Sequence, residues 1–308
     1  MRRVVLALLL TSLPVAIASQ ELRLPNKAGS VKFAIIGDSG EPGTGQTAVA
    51  KQMATWRTRY PFEFVLMMGD NLYGTERARD YARKFEVPYK ALLDSGVKFY
   101  AALGNHDDGG QIQYKPFNMD GRKYYTFSPS LGVRFFALDS NYVDQKQIDW
   151  LDKELSSSGS DWKIVFFHHP LYSSGATHGS AEPQRKLLEP LFLKYGVNVA
   201  FMGHEHFYER IHPQKGVAYF IIGSSSKIRK GDLRKSALTV YGNDSAYAFM
   251  LAEIVGDELY YQTISDKGET LDAGSIKRAG DVDPNRGVTT QPVVPQSKPS
   301  PVQPGPGK

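Results

Sequence analysis

Six short apolar runs, rich in β-branched and aromatic residues, constrain most strongly what this chain can fold into. In chain order they are Val31–Gly37, Phe64–Gly69, Val97–Leu103, Val133–Leu138, Lys163–Phe167 and Val197–Gly203. Runs of this kind are typical of strands buried on both faces, as in a sheet that is covered by helices. The pattern therefore predicts an α/β protein.

Two segments between these runs carry apolar residues at spacings of three and four, which predicts amphipathic helices. The segments are Asp144–Leu155 and Glu182–Tyr195, and Pro190 is expected to kink or interrupt the second one. The apolar residues are Ile148, Leu151 and Leu155 in the first segment and Leu187, Leu188, Leu191 and Phe192 in the second.

The last part of the apolar pattern is again rich in strands, at Ala218–Ile222, Ala246–Val255 and Glu258–Ser265. The Gly256-Asp257 pair between the last two indicates a hairpin. We therefore expect an α/β fold in which two mixed β-sheets pack as a sandwich flanked by helices.

Polar groups follow five of the apolar runs directly, and a glycine precedes four of these five groups. Ligands bind beyond the carboxyl ends of strands in α/β folds, so these side chains are expected to meet at one place. Carboxylate, amide and imidazole donors suit Fe, Zn or Mn, and the chain has no cysteine that could add a thiolate. The segments are Gly37-Asp38-Ser39-Gly40, Gly69-Asp70-Asn71-Leu72-Tyr73, Gly104-Asn105-His106-Asp107, His168-His169-Pro170 and Gly203-His204-Glu205-His206.

This ordered motif set resembles the calcineurin-like metallophosphoesterases and, within them, the purple acid phosphatases. The resemblance extends from Asp38 to about Arg210, and more loosely to about residue 265. Ordinary members of the superfamily begin with Asp-x-His, whose histidine is a ligand, whereas position 40 of this chain is glycine. The resemblance implies that Tyr73 replaces that histidine as a tyrosinate, a hard anionic donor that favours Fe(III).

The resemblance also implies two metal ions. Asp38, Asp70, Tyr73 and His206 would hold Fe(III), and Asp70, Asn105, His168 and His204 would hold a divalent Fe, Zn or Mn ion, with Asp70 as the bridge.

Two further histidines, His106 and His178, resemble the catalytic histidines that contact phosphate and protonate the leaving group. The family pattern His-x-Pro selects His168 as the ligand, so the neighbouring His169 is expected at the rim or in a structural role. His212 lies beyond the pattern and receives no functional role.

The resemblance implies an acid phosphatase that hydrolyses small phosphate monoesters with a metal-bound hydroxide and without a phosphoenzyme. A phosphodiesterase or a nucleotide pyrophosphatase using the same metal site remains an alternative, because loops decide the substrate. A second alternative is a P-loop nucleotide-binding protein, since residues 40–47 match that motif except that Gln46 replaces its lysine. A third is an exported binding protein without activity, although none of the ligand or acid groups is lost.

The two ends of the chain differ from its middle. Residues 1–18 combine a basic start, a short apolar run and an Ala-x-Ala site, which predicts a secretory signal peptide. We expect one domain at 29–272 and a disordered Pro-rich tail at 273–308. The protein is then exported, periplasmic or secreted, without stable membrane association after cleavage. The net charge of +5 is not organised for nucleic-acid binding, and nothing in the sequence indicates the oligomeric state.

Overall fold

The computed structural model describes residues 21–278, so the predicted signal peptide and most of the predicted tail lie outside the described residues. The strands are β1 (Val31–Ile36), β2 (Phe64–Met67), β3 (Lys98–Ala101), β4 (Tyr125–Ser130), β5 (Val133–Ala137), β6 (Trp162–Phe166), β7 (Val199–Met202), β8 (Tyr208–Gln214), β9 (Val217–Ile222), β10 (Thr239–Asn243), β11 (Ala248–Val255), β12 (Glu258–Ser265) and β13 (Thr270–Lys277). Each of the predicted strands is present.

These strands form two mixed sheets, which confirms the predicted fold class. The first sheet has the order β13-β12-β11-β1-β2-β3, and the second has the order β10-β8-β9-β7-β6-β5-β4. The neighbours β1, β2 and β3 are parallel in the first sheet, as are β5, β6, β7 and β9 in the second. The predicted hairpin is confirmed, because Val255 of β11 pairs with Glu258 of β12 across the Gly256-Asp257 turn.

The α-helices are α1 (Thr44–Arg57), α2 (Ala78–Tyr81), α3 (Lys90–Asp94), α4 (Gln145–Ser156) and α5 (Glu182–Tyr195). A π-helical turn follows α2 at Ala82–Glu86, and 3-10 turns lie at Gly109–Gln113 and Lys115–Phe117. No helix within residues 21–278 is long and apolar enough to cross a membrane.

The two predicted amphipathic helices are α4 and α5. Asp144 caps α4, because its side chain accepts a hydrogen bond from the Gln147 N–H. Of the kink or interruption expected at Pro190, the interruption is absent, since α5 continues through this residue, which lies on the exposed side of the helix. The expectation that Leu187 belongs to the apolar face is wrong, because this residue is 46% exposed.

The sandwich is closed by aromatic contacts between the two sheets. Phe33 of β1 meets Phe135 of β5 edge to face, with ring centroids 5.2 Å apart. Phe220 of β9 contacts Tyr261 of β12 in the same way, at 4.9 Å. On the outer side of the second sheet, α4 and α5 bury their apolar faces in a separate core cluster. The packing between the two sheets and the packing of α4 and α5 on the second sheet together fix the distance between the carboxyl ends of the central strands of the two sheets.

The folded domain is longer than the expected range of 29–272. Leu24 is buried, and the Arg23 N–H donates to Gln262 Oε1 at 2.9 Å, so the chain is already packed before residue 29. At the other end β13 continues to Lys277, five residues beyond the expected boundary. The strand β13 carries a charged residue, Asp272, at its third position and so lacks a continuous apolar pattern, which is why its sequence resembles the start of a tail.

Asp272 is buried because it pairs with Arg210 of the opposite sheet. The Arg210 Nε–H donates to Asp272 Oδ2 at 2.7 Å, and the Tyr208 hydroxyl donates to the same oxygen at 2.8 Å. The two charged side chains are 5% and 0% exposed. This ion pair therefore joins β8 to β13 across the sandwich.

We expect Asp272→Ala to lower the free energy of unfolding by about 3–5 kcal/mol, because it leaves the Arg210 charge buried and unpaired. Urea unfolding followed by circular dichroism measures the change. The control is Asp94→Ala, which removes an exposed ion pair with Lys90 and should cost at most about 1 kcal/mol. Equal losses in the two variants would contradict the structural role of the buried pair.

Candidate metal centre

The polar groups predicted at the strand ends meet where the two sheets face each other. The Asp38 N–H donates to the Gly69 carbonyl at 3.0 Å within the first sheet, and the Gly203 N–H donates to the His168 carbonyl at 2.9 Å within the second. The His204 N–H then donates to Asp38 Oδ2 at 2.8 Å, which connects the two sheets. The site is thus built on strand ends rather than on free loops.

Three residues of the site have left-handed backbone conformations. The φ angles are 51° at Asp38, 50° at Asp70 and 71° at His204. Such angles cost on the order of 1–3 kcal/mol each for residues other than glycine and persist where the surrounding structure enforces them. Here the hydrogen bonds between strand ends provide that enforcement, so the three side chains are turned toward one another.

Two glycines are required by the close approach of the carboxylates. A Cβ atom added at Gly104 would lie 2.2 Å from Asp70 Oδ1, and one added at Gly203 would lie 2.7 Å from Asp38 Oδ2. Real Cβ atoms do not approach other atoms so closely. Gly104 and Gly203 therefore make room for the side chains of Asp70 and Asp38.

One group of donor atoms surrounds Asp38. The Tyr73 hydroxyl oxygen lies 3.0 Å from Asp38 Oδ1 and 3.2 Å from His206 Nε2. His206 Nε2 is 3.4 Å from the same Asp38 oxygen. Asp38, Asp70 and His206 form a group that could hold a cation, with one donor atom from each within 4.8 Å of the others.

A second group of donor atoms surrounds His168 Nε2. Asn105 Oδ1 lies 3.0 Å from it, His204 Nδ1 lies 3.1 Å from it, and Asp70 Oδ1 lies 3.5 Å from it. Adjacent donors of an octahedral cation with bonds of about 2.1 Å are separated by about 3.0 Å. The spacing of both groups therefore fits coordination, and Asp70 is close to both.

His169 also lies within this cluster, whereas the sequence analysis expects it at the rim or in a structural role. Its ring is 4.6 Å from that of His204, and His168, His169 and His204 together form a second group that could hold a cation. However, His169 Nδ1 has a partner in Ser140 Oγ at 3.0 Å. That contact ties this histidine to the loop that follows β5.

The electrostatics of the cluster favour neutral side chains while no cation is bound. Burial and then the charge of Asp70 raise the pKa of Asp38 well above its usual range. Burial, followed by His169, lowers the pKa of His168. The pKa of the Tyr73 hydroxyl is raised by burial and by Asp38. Burial thus disfavours the charged forms of these donors, and cations bound between them would favour the ionised forms of Asp38 and Tyr73 and the neutral form of His168.

Gly40, where ordinary family members have a histidine, is enclosed by the backbone of the Tyr73 loop. The Gly40 N–H donates to the Asp70 carbonyl at 3.1 Å, and the Tyr73 N–H donates to the Gly40 carbonyl at 3.3 Å. A Cβ atom at position 40 would lie 2.3 Å from the Asn71 carbonyl oxygen. No side chain fits at position 40, and the Tyr73 hydroxyl lies beside Asp38 and His206 at this part of the site.

His106 and His178 lie on different sides of the two donor groups, and both are exposed. The His106 N–H donates to Asp70 Oδ1 at 3.0 Å, and its ring is 4.9 Å from the Tyr73 ring. The His178 ring is 4.2 Å from the His204 ring. Each therefore borders one donor group and can reach a ligand bound there.

Asp107 joins the two loops that carry Asp70 and Asn105, a role that sequence reasoning did not assign. Its Oδ1 accepts the Leu72 N–H at 3.0 Å, and its Oδ2 accepts the Gly104 N–H at 2.8 Å. Burial, followed by the charge of Asp70, raises its pKa to about 7. Its place directly after His106 in the strand-end motif was the only available signal.

Two cationic side chains beside the site were also missed. Lys227 Nζ lies 3.9 Å from the centroid of the Tyr73 ring. The backbone N–H of Arg229 donates to the His206 carbonyl at 3.1 Å, and burial and then the charge of the Arg229 guanidinium lower the pKa of His206. Both follow β9, whose carboxyl end is at the same edge as the other strand ends, so the strand-end argument could have found them.

The predicted P-loop alternative is not supported by the surroundings of Gln46. This side chain is buried, and its Nε2 donates to the Ser39 carbonyl at 2.6 Å and to the Lys84 carbonyl at 2.5 Å. A residue at the lysine position of a P-loop has to reach phosphates outside the loop. Gln46 instead ties the loop to the protein interior.

A cavity of about 750 Å³ opens beside His106. Its lining includes Glu76, Arg77, Tyr81 and Asp108. None of the donor residues lines the cavity, which adjoins the donor groups through His106 and Asp107 and has room for a small-molecule ligand.

The sequence model of a family described as calcineurin-like phosphoesterase matches residues 31–208. Tartrate-resistant acid phosphatase type 5 from Homo sapiens is 26% identical over 309 residues, covering 82% of this chain and 94% of that protein. Purple acid phosphatase 4 from Arabidopsis thaliana is 28% identical over 245 residues, covering 67% of this chain and 71% of that protein.

Solved structures show the same fold. GAP50, the anchor in the inner membrane complex of Plasmodium, matches with a TM-score of 0.71 at 21% identity, covering 82% of this chain and 90% of that one. The purple acid phosphatase from yellow lupin (Lupinus luteus) seeds matches with a TM-score of 0.63 at 17% identity, covering 88% of this chain and 58% of that one.

We expect the metal-free protein to take up one Zn²⁺ ion, at the donor group of His168 and His204, nearly as well at about pH 5 as at neutral pH. Burial and then His168 lower the pKa of His204 to about 2, and burial lowers the pKa of His168 as well. Imidazole binds metals only when neutral, so these shifts extend binding into acid, whereas the raised pKa of Asp38 acts against binding in acid at the other donor group. Metal analysis after gel filtration measures uptake, and half-loss at about pH 6.5, the ordinary pKa of histidine, would contradict the shifts.

Proposed function

Because the chain belongs to the calcineurin-like phosphoesterase family, we propose that it is a binuclear-metal acid phosphatase that hydrolyses small phosphate monoesters. The observation that carries this proposal is the convergence of two sets of oxygen and nitrogen donors that share Asp70. The similarity to tartrate-resistant and purple acid phosphatases supports the choice of reaction.

We assign the two sets of donors to two different cations. Asp38, Tyr73 and His206, with Asp70, would hold Fe(III), because a phenolate is a hard anionic ligand. The divalent ion, Fe, Zn or Mn, would be held by the other set, which consists of Asn105, His168 and His204 with Asp70 as the bridge. The donor spacing of about 3 Å in both sets supports this assignment.

When bound, the two cations would neutralise the phosphoryl oxygens and supply an acidified water as the nucleophile. The residues of the chain then orient the ester and move protons. His106 lies beside Tyr73 and would contact the phosphate, and His178 lies beside His204 and would protonate the leaving alcohol. Burial and then Arg229 lower the pKa of His178, and the charge of the bound phosphate opposes that shift.

We further propose that the protein is exported, on the basis of the signal-peptide pattern at residues 1–18. The substrate would be a small phosphorylated molecule that enters through the cavity beside His106.

We expect Asp70→Ala to reduce kcat for 4-nitrophenyl phosphate on the order of 10³-fold or more, because it removes the side chain common to both cation sites. Asp149→Ala, which removes an exposed carboxylate of α4, is the matched control and should keep the parent rate. An Asp70→Ala variant as active as the parent would disprove the proposal. Turnover of bis(4-nitrophenyl) phosphate faster than of the monoester would favour a phosphodiesterase instead.

We expect the purified protein to contain iron and to absorb visible light, and Tyr73→Phe to lose most of this absorption. Phenylalanine keeps the packing of the ring but has no oxygen to donate to Fe(III). A visible spectrum with metal analysis of both proteins makes the measurement. Iron-free, colourless parent protein would remove the Fe(III)–tyrosinate assignment and leave the phosphoesterase assignment in place.

A further inference from the structure

His178 is carried by a closed loop, residues 173–180, between β6 and α5. The Ser173 N–H donates to Ser180 Oγ at 3.0 Å, and the Ala181 N–H donates to the Pro170 carbonyl at 2.7 Å, so the two ends of the loop are joined. His178 itself is exposed near the far end of the loop. The position of its ring therefore depends on what holds the loop from outside.

Glu205 holds the loop from the side of the metal centre. Its buried Oε1 accepts the Gly179 N–H at 2.7 Å and the Ser173 hydroxyl at 3.0 Å. The approach is so close that a Cβ atom at Gly175 would lie 2.1 Å from that oxygen. Glu205 stands between His204 and His206, however, so its substitution would also disturb the donor groups.

Asp232 holds the loop from another side, and its carboxylate also pairs with Arg229, whose Nη1 lies 3.5 Å from Asp232 Oδ2. The Thr177 hydroxyl donates to Asp232 Oδ1 at 2.6 Å, and the Ala176 N–H donates to the Asp232 carbonyl at 2.8 Å. A β-bridge between Gly175 and Leu233 extends this contact. The Asp232 side chain is only 4% exposed, so the acceptor of the Thr177 hydroxyl is shielded from water.

We propose that Asp232 is a positioning residue, which holds His178 beside His204 through the hydroxyl of Thr177. This inference rests on the proposed function, in which His178 protonates the leaving alcohol. Thr177 is adjacent to His178, so a change in its contact with Asp232 is transmitted directly to the imidazole. Neither Asp232 nor Thr177 is next to a proposed metal ligand in the sequence.

The chemistry gives this role a specific signature. As the bond from phosphorus to the alcohol oxygen breaks, that oxygen keeps the electron pair and accepts the proton of the His178 imidazolium. Water supplies the new oxygen on phosphorus and releases a proton to the solvent, from which His178 is protonated again. A basic alkoxide needs this proton, whereas nitrophenolate leaves without it, so a displaced acid slows alkyl esters selectively.

The test compares Thr177→Val with Thr177→Ser in the metal-loaded enzyme, using glycerol 2-phosphate and 4-nitrophenyl phosphate. Valine keeps the shape of threonine but has no hydroxyl, and serine keeps the hydroxyl. Since a misplacement of about 1 Å can cost up to about 10²-fold, we expect Thr177→Val to lower kcat about tenfold for the alkyl ester and less than about twofold for the aryl ester. Thr177→Ser should behave as the parent does.

A second set of variants distinguishes loss of the hydrogen bond between Thr177 and Asp232 from general destabilisation of the protein. Asp232→Ala should show the same selective loss, and the double variant with Thr177→Val should be no worse than the stronger single one. The control is Asp244→Ala. Asp244 accepts the Gly231 N–H at 2.7 Å and the Leu233 N–H at 3.4 Å, so this variant loosens the segment that carries Asp232 but keeps the hydrogen bond between Thr177 and Asp232, and it should keep the parent ratio of the two rates.

Equal losses on both esters in Thr177→Val, or additive losses in the double variant, would overturn the positioning role. His178→Ala, measured in parallel, separates this failure from a failure of the proposed function. If His178→Ala slows the alkyl ester selectively and Thr177→Val does not, only the role of Asp232 is wrong. If His178→Ala leaves the ratio unchanged, the assignment of the acid and the inference built on it both fail.

Discussion

The concentration of desolvated oxygen and nitrogen donors between the two sheets is the constraint on which the rest of the structure depends. Asp38 and His168 are fully buried, and their pKa values are shifted toward the neutral forms by that burial. Cations bound at this position would offset the free-energy cost of burying these groups close together. The backbone bond from His204 to Asp38 crosses between the sheets at the same place, so the geometry of the sandwich and of the donor groups is set together.

The sequence predicted the central strands well and the edges of the sheets poorly. A strand buried on both faces has a continuous apolar sequence, as β1 and β7 do, and this signal is local. In contrast, β13 contains Asp272, whose burial depends on Arg210, a residue far earlier in the chain. A local sequence pattern does not reveal the pairing of Asp272 with Arg210, so the predicted domain ends too early.

The candidate site could be predicted to the extent that it is built from strand ends. Parallel strands bring their carboxyl ends to one edge, so residues such as Asp38, Asp70 and His204 are found by position alone. The position of a strand end does not explain why residue 40 is glycine. The explanation is that a Cβ atom has no space beside the Asn71 carbonyl, which only the structure shows. Asp232 was missed because its partner, Thr177, is distant in the sequence.

The cation donors and the proposed acid His178 are held by different kinds of structure, because their roles require different precision. A cation tolerates little error in its donors, and the donors are fixed to strand ends by backbone hydrogen bonds. An acid that protonates leaving groups of different shape needs access to solvent, and His178 is accordingly on an exposed loop. A loop alone does not hold a side chain within a fraction of an ångström, so buried carboxylates are needed to brace it. Glu205 and Asp232 occupy two positions from which this loop can be held without covering the imidazole.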